Sequence, residues 1–186
     1  MDLDANQISY KRLEMDNLPL IYDWITNDRV VNRFWGYGKE ENYHQVTKEF
    51  SDYISGVEPT DPYLILYNKT PIGYIQMYKW LDYPDYEQFV DLTNAAGIDL
   101  FITGEYRNKG LGQRIIARFL LEYVFNDTGI ARCVINPEVN NVHAIKAYEK
   151  VGFQIDKMVS DIPGEPGPVY FMSIERDRMT GNDKFS

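Results

Sequence analysis

Apolar residues follow two rhythms along the chain, and the switches between them mark out its elements. "ISYKRL" (8–13) reads as an opening strand. "NLPLIYDWITND" (17–28) has apolar residues at helical spacing, with Asn17 as a cap and a proline just inside the start. "EENYHQVTKEFSDYIS" (40–55) repeats that spacing with aromatic faces. "PYLILYNKTPIGYIQMYKW" (62–80) predicts two strands around an Asn-Lys-Thr-Pro turn, a hairpin. The stretch 81–96 is irregular and acidic. After it come a strand over 97–103, a helix from about Gly110 to Phe125, a strand over 131–136 and a helix over 141–151. "FQIDKMVSD" and "PVYFMSIER" close the chain as two strands. The predicted order is β-α-α-β-β-β-α-β-α-β-β, an α/β (α+β) arrangement on a mixed, largely antiparallel sheet. With no internal repeat, low-complexity block or linker, residues 1–176 are expected to form a single domain, and 177–186 a polar tail that frays.

Composition narrows the class. Of the 186 residues 44% are hydrophobic and 25% charged, ordinary for a soluble globular domain. No apolar run is long enough for a membrane span, and the acidic N-terminus lacks the apolar stretch of a secretory signal. The single cysteine, Cys133, excludes an internal disulfide and points to a reducing cytoplasm, where it is expected to be buried and inert. A net charge of −9 argues against nucleic acid, whose phosphates would be repelled. The same charge suits cationic small molecules if it gathers round a cleft, and otherwise simply serves solubility. His44 and His143 have no metal-ligand spacing, so no metal is expected.

Two features carry chemistry. The first is Asp99, inside the apolar strand "GIDLFI", where an ionised carboxylate is costly unless it is paired, hydrated or working. Alternation puts Asp99 and Phe101 on one face and Ile98, Leu100 and Ile102 on the other. The residues alone leave a solvent-facing or arginine-paired carboxylate and a proton acceptor equally open. The second is "YRNKGLGQR", between that strand and a helix. Glycines allow a tight turn and close approach, the helix start offers unpaired N–H groups, and Arg107, Lys109 and Arg114 add positive charge. It is neither a Walker loop nor a dinucleotide fingerprint, because no G-K-[ST] follows and Ile115 stands at the third glycine's place.

Arg107, Gly110 and Gly112 form R-x-x-G-x-G, which resembles the acyl-CoA signature of the GNAT N-acetyltransferases. "NVHAIKAYEKVGF" (141–153) resembles the same superfamily's N-x-x-A-x-x-x-Y-E-K-x-G-F element. Residues 97–175, together with "RVVNRFWG" near the start, are most similar to the aminoglycoside 6'-N-acetyltransferases. The resemblance implies a single-domain GNAT acyl-CoA N-acyltransferase fold and acetyl-CoA as co-substrate. The backbone of Leu100, Phe101 and Ile102 would hold the pantetheine arm. The amides of Arg107, Asn108, Lys109, Gly110, Leu111, Gly112 and Gln113 would bind the pyrophosphate, and Asn141 would touch the arm. Tyr148 would stand near the sulfur as a candidate acid, or else serve only packing; Lys150 is expected to be a solvated charge.

The resemblance also makes Asp99 the proposed base and favours a cationic amine, since the siderophore-type relatives typically have histidine there. Asp82, Asp85, Glu87 and Asp91 precede the strand as a solvated loop or a polycation-binding lip. Glu87, Asp91, Trp35 and Glu165 are the further substrate contacts it implies. One departure stands out: where close relatives have Asp-Pro, this chain has Asn136 with Glu138 two residues on. The expected activity is therefore direct acetylation of a small cationic amine, most like an aminoglycoside 6'-amine. Alternatives are a siderophore precursor, a polyamine, a protein N-terminus or a non-catalytic CoA-binding role, in a monomer or homodimer.

Overall fold

A computed structural model describes residues 4–36 and 42–180. The N-terminal part of the predicted 40–55 helix and the last six residues of the tail, 181–186, lie outside the described residues. The strands are β1 (Ile8–Arg12), β2 (Thr60–Tyr67), β3 (Thr70–Lys79), β4 (Ala95–Ile102), β5 (Arg132–Ile135), β6 (Gln154–Val159) and β7 (Val169–Glu175). The helices are α1 (Leu18–Asn27), α2 (Arg29–Phe34), α3 (Tyr43–Ser55), α4 (Leu111–Phe119), α5 (Val142–Val151) and α6 (Arg176–Thr180). One sheet runs in the order β1-β2-β3-β4-β5-β7-β6. Its β4–β5 pair is parallel, whereas β1–β2, β5–β7 and β6–β7 are antiparallel, so the sheet is mixed, as the pattern predicts.

The chain divides into two compact units. The first holds the described residues up to Met77 together with Asp99–Lys109. Its core gathers Leu18, Ile21 and Ile25 from α1, Val31 from α2, Val46 and Phe50 from α3, and Leu64, Tyr74 and Phe101 from the strands. The β2–β3 link is a two-residue turn, Asn68 and Lys69, with φ of 50° and 66°. A two-residue turn with both φ positive matches the strand twist of an antiparallel hairpin. Helix α2 was not predicted. Six residues are too few for a helical period to declare itself, and α2 depends on its cap: the Asp28 carboxylate accepts the amides of Val30 and Val31.

The second unit holds Tyr78–Ile98 and the described residues from Gly110 onward. The stretch between β3 and β4, irregular by pattern, is anchored from below. Trp80, Tyr83, Tyr86, Phe89, Val90 and Leu92 pack with Val134, Ile162, Val169 and Phe171, while the acidic residues stay outside. The Trp80 indole N–H donates to the Val134 carbonyl at 3.0 Å, so its polar edge is satisfied inside the cluster. Helix α4 stops at Phe119 and a π-helical turn, Leu120–Val124, completes the predicted span. The start of the expected tail departs from prediction: residues 176–180 form α6, tied down by Met179, which is 2% exposed. Among the described residues no helix is long and apolar enough to cross a membrane.

Candidate functional site

Asp99 sits in β4 opposite β3, where alternation gives Tyr74 and Gln76 a common face, as it does Phe101 and Asp99. Phe101 stacks on Tyr74 with ring centroids 5.7 Å apart, within the apolar core of the first unit. One step along each strand pair the contact turns polar: Gln76 Nε2 donates to Asp99 Oδ2 at 3.0 Å. Gln76 is buried and its Oε1 accepts from the Tyr74 hydroxyl at 2.8 Å. The carboxylate that looked anomalous in an apolar strand is thus half-buried and held by an amide. Trp35 is half-buried beside the same core, with its ring 5.3 Å from Tyr74 and 5.2 Å from Phe101. It is therefore mortar for the aromatic cluster, whatever its outer edge meets.

The turn after β4 is shaped by backbone and buttressed by charge. Asn108 and Gly110 both have left-handed backbones, φ 60° and 75°, on either side of Lys109. Alternation of this kind turns successive amides into an anion-binding concavity. A Cβ on Gly110 would meet nothing within 4 Å, so glycine is needed there for its backbone and not for space. Helix α4 begins immediately after it, at Leu111, with its N-terminal amides and positive dipole end. Leu111 is buried, and Gly112 and Gln113 lie in the first turn.

The Arg107 side chain faces back into the first unit. Its Nη2 pairs with Asp28 at 2.9 Å and its Nη1 donates to the Ile102 carbonyl at 3.0 Å. Asp28 also accepts the Gly104 amide at 2.9 Å. One carboxylate therefore caps α2, ties down the turn and neutralises the motif arginine. These donors outweigh burial and hold the Asp28 carboxyl below its usual range. The Arg107 guanidinium acts as a buttress, which leaves Lys109, resting over the Tyr106 ring at 5.6 Å, as a cation on the turn.

The second unit contains another carboxylate cluster. Glu165 Oε1 accepts from Asn136 Nδ2 at 2.9 Å and from the Tyr86 hydroxyl at 3.4 Å. Burial pushes the Glu165 carboxyl up; the bonds from Asn136 and Tyr86 pull the other way, and the nearby Glu138 charge adds to the rise. Glu138 itself forms an isolated bridge to Val169. Of the acidic lip, Glu87 is exposed, while Asp91 pairs with Arg132 at 3.1 Å and caps the Thr93 turn. Asp91 therefore has a structural employment. Asn141 caps α5 by accepting the Ala144 amide, and Tyr148 on the same helix is 6% exposed with its ring edge-on to Phe153. Among the described residues no group of His, Cys, Asp and Glu is placed to hold a metal ion.

Residues 14–160 match the family model described as "Acetyltransferase (GNAT) domain", well over half of the chain. The protein belongs to the GNAT acetyltransferase family. Over 184 residues it is 27% identical to the aminoglycoside N(6')-acetyltransferase type 1 of Serratia marcescens, covering 97% of this chain and 89% of that one. The Klebsiella pneumoniae protein of the same name is 28% identical over 170 residues, covering 90% and 82%. The crystal structure of aminoglycoside acetyltransferase AAC(6')-Ib in complex with coenzyme A and kanamycin superposes with a TM-score of 0.81, at 27% identity, covering 94% of this chain and 98% of that one.

Four side chains of this GNAT protein escape sequence reasoning: Tyr74, Gln76, Asp28 and Tyr86. The first two carried a readable signal, since alternation in "GYIQMYKW" puts a glutamine on the face of a buried strand beside a tyrosine. Asp28 had the lesser signal of an aspartate ahead of "RVVNRF". Tyr86 had none, because its partner lies 79 residues away.

Proposed function

We propose that this GNAT protein transfers an acetyl group from acetyl-CoA to a small cationic amine, the 6'-amine of an aminoglycoside being the favoured acceptor. The observation that carries the reading is Asp99: a half-buried carboxylate held by Gln76, on the strand that leads directly into the left-handed turn and the α4 N-terminus. An amine must lose a proton before or as it attacks a thioester, and a fixed carboxylate is a suitable acceptor, directly or through water. The end-to-end likeness to aminoglycoside acetyltransferases supports the choice of amine.

In this reading the turn amides from Arg107 to Gln113 hold the pyrophosphate. The β4 backbone at Leu100, Phe101 and Ile102 lies along the pantetheine arm, with Asn141 near it. That strand use is supported by the β4–β5 ladder, which among the described residues consists of Ala95↔Arg132 and Ala96↔Cys133. The co-substrate supplies the activated acetyl group. As the amine nitrogen bonds to the acetyl carbon, its proton passes to Asp99; the carbon–sulfur bond breaks, and the departing thiolate takes a proton from Tyr148, which regains one from water as Asp99 releases its own. Glu165 and Asn136 receive a second polar group of the acceptor, with Trp35, Glu87, Asp91 and Glu138 at its margins.

The test is thioester consumption with acetyl-CoA against kanamycin, ribostamycin, spermidine and a hydroxylysine-type amine. Acetylation of the aminoglycosides at the 6' position, read by mass spectrometry and NMR, is expected. Turnover confined to spermidine or the hydroxylysine-type amine moves the assignment to those acceptors. Calorimetric CoA binding with no turnover on any of them rejects the enzymatic reading.

A further inference from the structure

Gln76 is only 6% exposed, and a primary amide is poorly tolerated in a core unless both of its ends are bonded. Here both are, and in a defined direction. The Tyr74 hydroxyl donates to Oε1 at 2.8 Å, and Nε2 donates to Asp99 Oδ2 at 3.0 Å. Tyr74 is fully buried, and burial raises its phenol well above the usual tyrosine range, so it remains a neutral O–H donor wherever the protein works. Tyr53 and Glu49 of α3 and Asp99 of β4 push the phenol the same way, and Arg12 of β1 opposes them. An ionised carboxylate only accepts, so the NH₂ end of the amide faces Asp99, and the amide oxygen is left for the Tyr74 hydroxyl.

We propose that Tyr74 and Gln76 are positioning residues for Asp99: the phenol anchors the oxygen end of the amide, and the NH₂ end fixes one carboxylate oxygen and favours the ionised, proton-accepting form. This deepens the function proposed above and rests on Asp99 being its base. A donor to the ionised form keeps a carboxylate free of its proton to lower pH, so the base is ready when an ammonium group arrives.

The test pairs a direct titration of the Asp99 carboxyl carbon by NMR with the pH profile of kcat/KM. Wild type, Gln76→Met and Tyr74→Phe are compared, each checked for folding by thermal melting. Methionine keeps the length of glutamine and removes the donor. Loss of a hydrogen bond to a partly buried carboxylate is expected to raise the Asp99 titration by about one pH unit. The acidic limb of kcat/KM should move up with it, while the KM for acetyl-CoA stays unchanged. Tyr74→Phe, which leaves the amide oxygen without its donor and the amide less firmly held, should move both in the same direction and by less. A purely structural role would lower the melting temperature without moving the titration. An unmoved titration in folded Gln76→Met overturns the proposal, and Tyr74→Phe decides the case if Gln76→Met does not fold. A shifted titration in a protein that acetylates none of the amines supports the positioning role and overturns the base assignment instead.

Discussion

Asp99 and Glu165 are both half-buried carboxylates steadied by a side-chain amide and a tyrosine, but the parts are wired differently. In the first unit they act in series: Tyr74 donates to Gln76, and Gln76 donates to Asp99. In the second they act in parallel, with Asn136 and Tyr86 converging on one oxygen of Glu165. Two donors do not hold the Glu165 carboxyl down. Burial and the Glu138 charge outweigh them, and the carboxyl is pushed up. Donor count is therefore a poor guide to proton affinity when desolvation differs. Under the proposed function the series arrangement holds the proton acceptor, while the parallel one holds a carboxyl that burial makes readier to keep a proton.

The contrast is sharpest if Asp99 alone does chemistry. Asp99→Asn keeps the size and the contact position while removing the proton acceptor. It is expected to lower kcat about 10²- to 10⁴-fold with little change in the KM for acetyl-CoA. Turnover like that of wild type would dissolve the distinction between the two clusters.

A smaller effect is expected from Asn136→Asp, which places a second carboxylate at the position now donating to Glu165 at 2.9 Å. Two carboxylates that close do not both ionise cheaply, so the pair should retain a proton and be harder to ionise than Glu165 alone. Melting curves should show the variant losing roughly 1–2 kcal/mol relative to wild type as pH rises from 5 to 8. Equal pH dependence in the two proteins would mean that Asn136 is not what governs Glu165.

Glu165→Gln is the gentlest probe, because a glutamine oxygen still accepts from both Asn136 and Tyr86. The folded-state value of Glu165 lies above its usual 4.5, so folding favours the protonated form. The cost of its charge is therefore absent at low pH, appears as pH rises through 4.5 and is complete above the raised folded value. Relative to wild type the variant should gain stability over that rise, about 2 °C in Tm after allowing for screening. If Glu165 also holds the acceptor, the KM for a multiply charged amine should increase by about tenfold while kcat changes little. A pH-independent difference in Tm would contradict the raised carboxyl. An unchanged KM would leave Glu165 a structural group.

Local chemistry was legible in the sequence. Alternation and helical spacing gave the order of strands and helices, Asn68 and Lys69 marked the hairpin, and Gly110 marked the left-handed turn before α4. Short and non-periodic pieces were not: α2 exists through the Asp28 cap, and the 81–96 stretch is ordered by an aromatic underside that no simple period reveals. Asp99 stood out because a charge in an apolar strand demands a reason. What supports it could not be read, since a buried amide is informative only once its partners are known.

The sequence by itself thus determined the family, the order of the strands and longer helices, and the residue types able to do acyl-transfer chemistry, because these follow from local pattern and contiguous motifs. Tertiary structure alone decided who supports whom. It joined Gln76 to Asp99 across 23 residues, Asn136 to Glu165 across 29 and Asp28 to Arg107 across 79. It also tied the side chain of the motif arginine to Asp28 and to the Ile102 carbonyl. Hydrogen bonds of a few ångströms are set by strand register and loop packing, and those are properties of the folded chain as a whole.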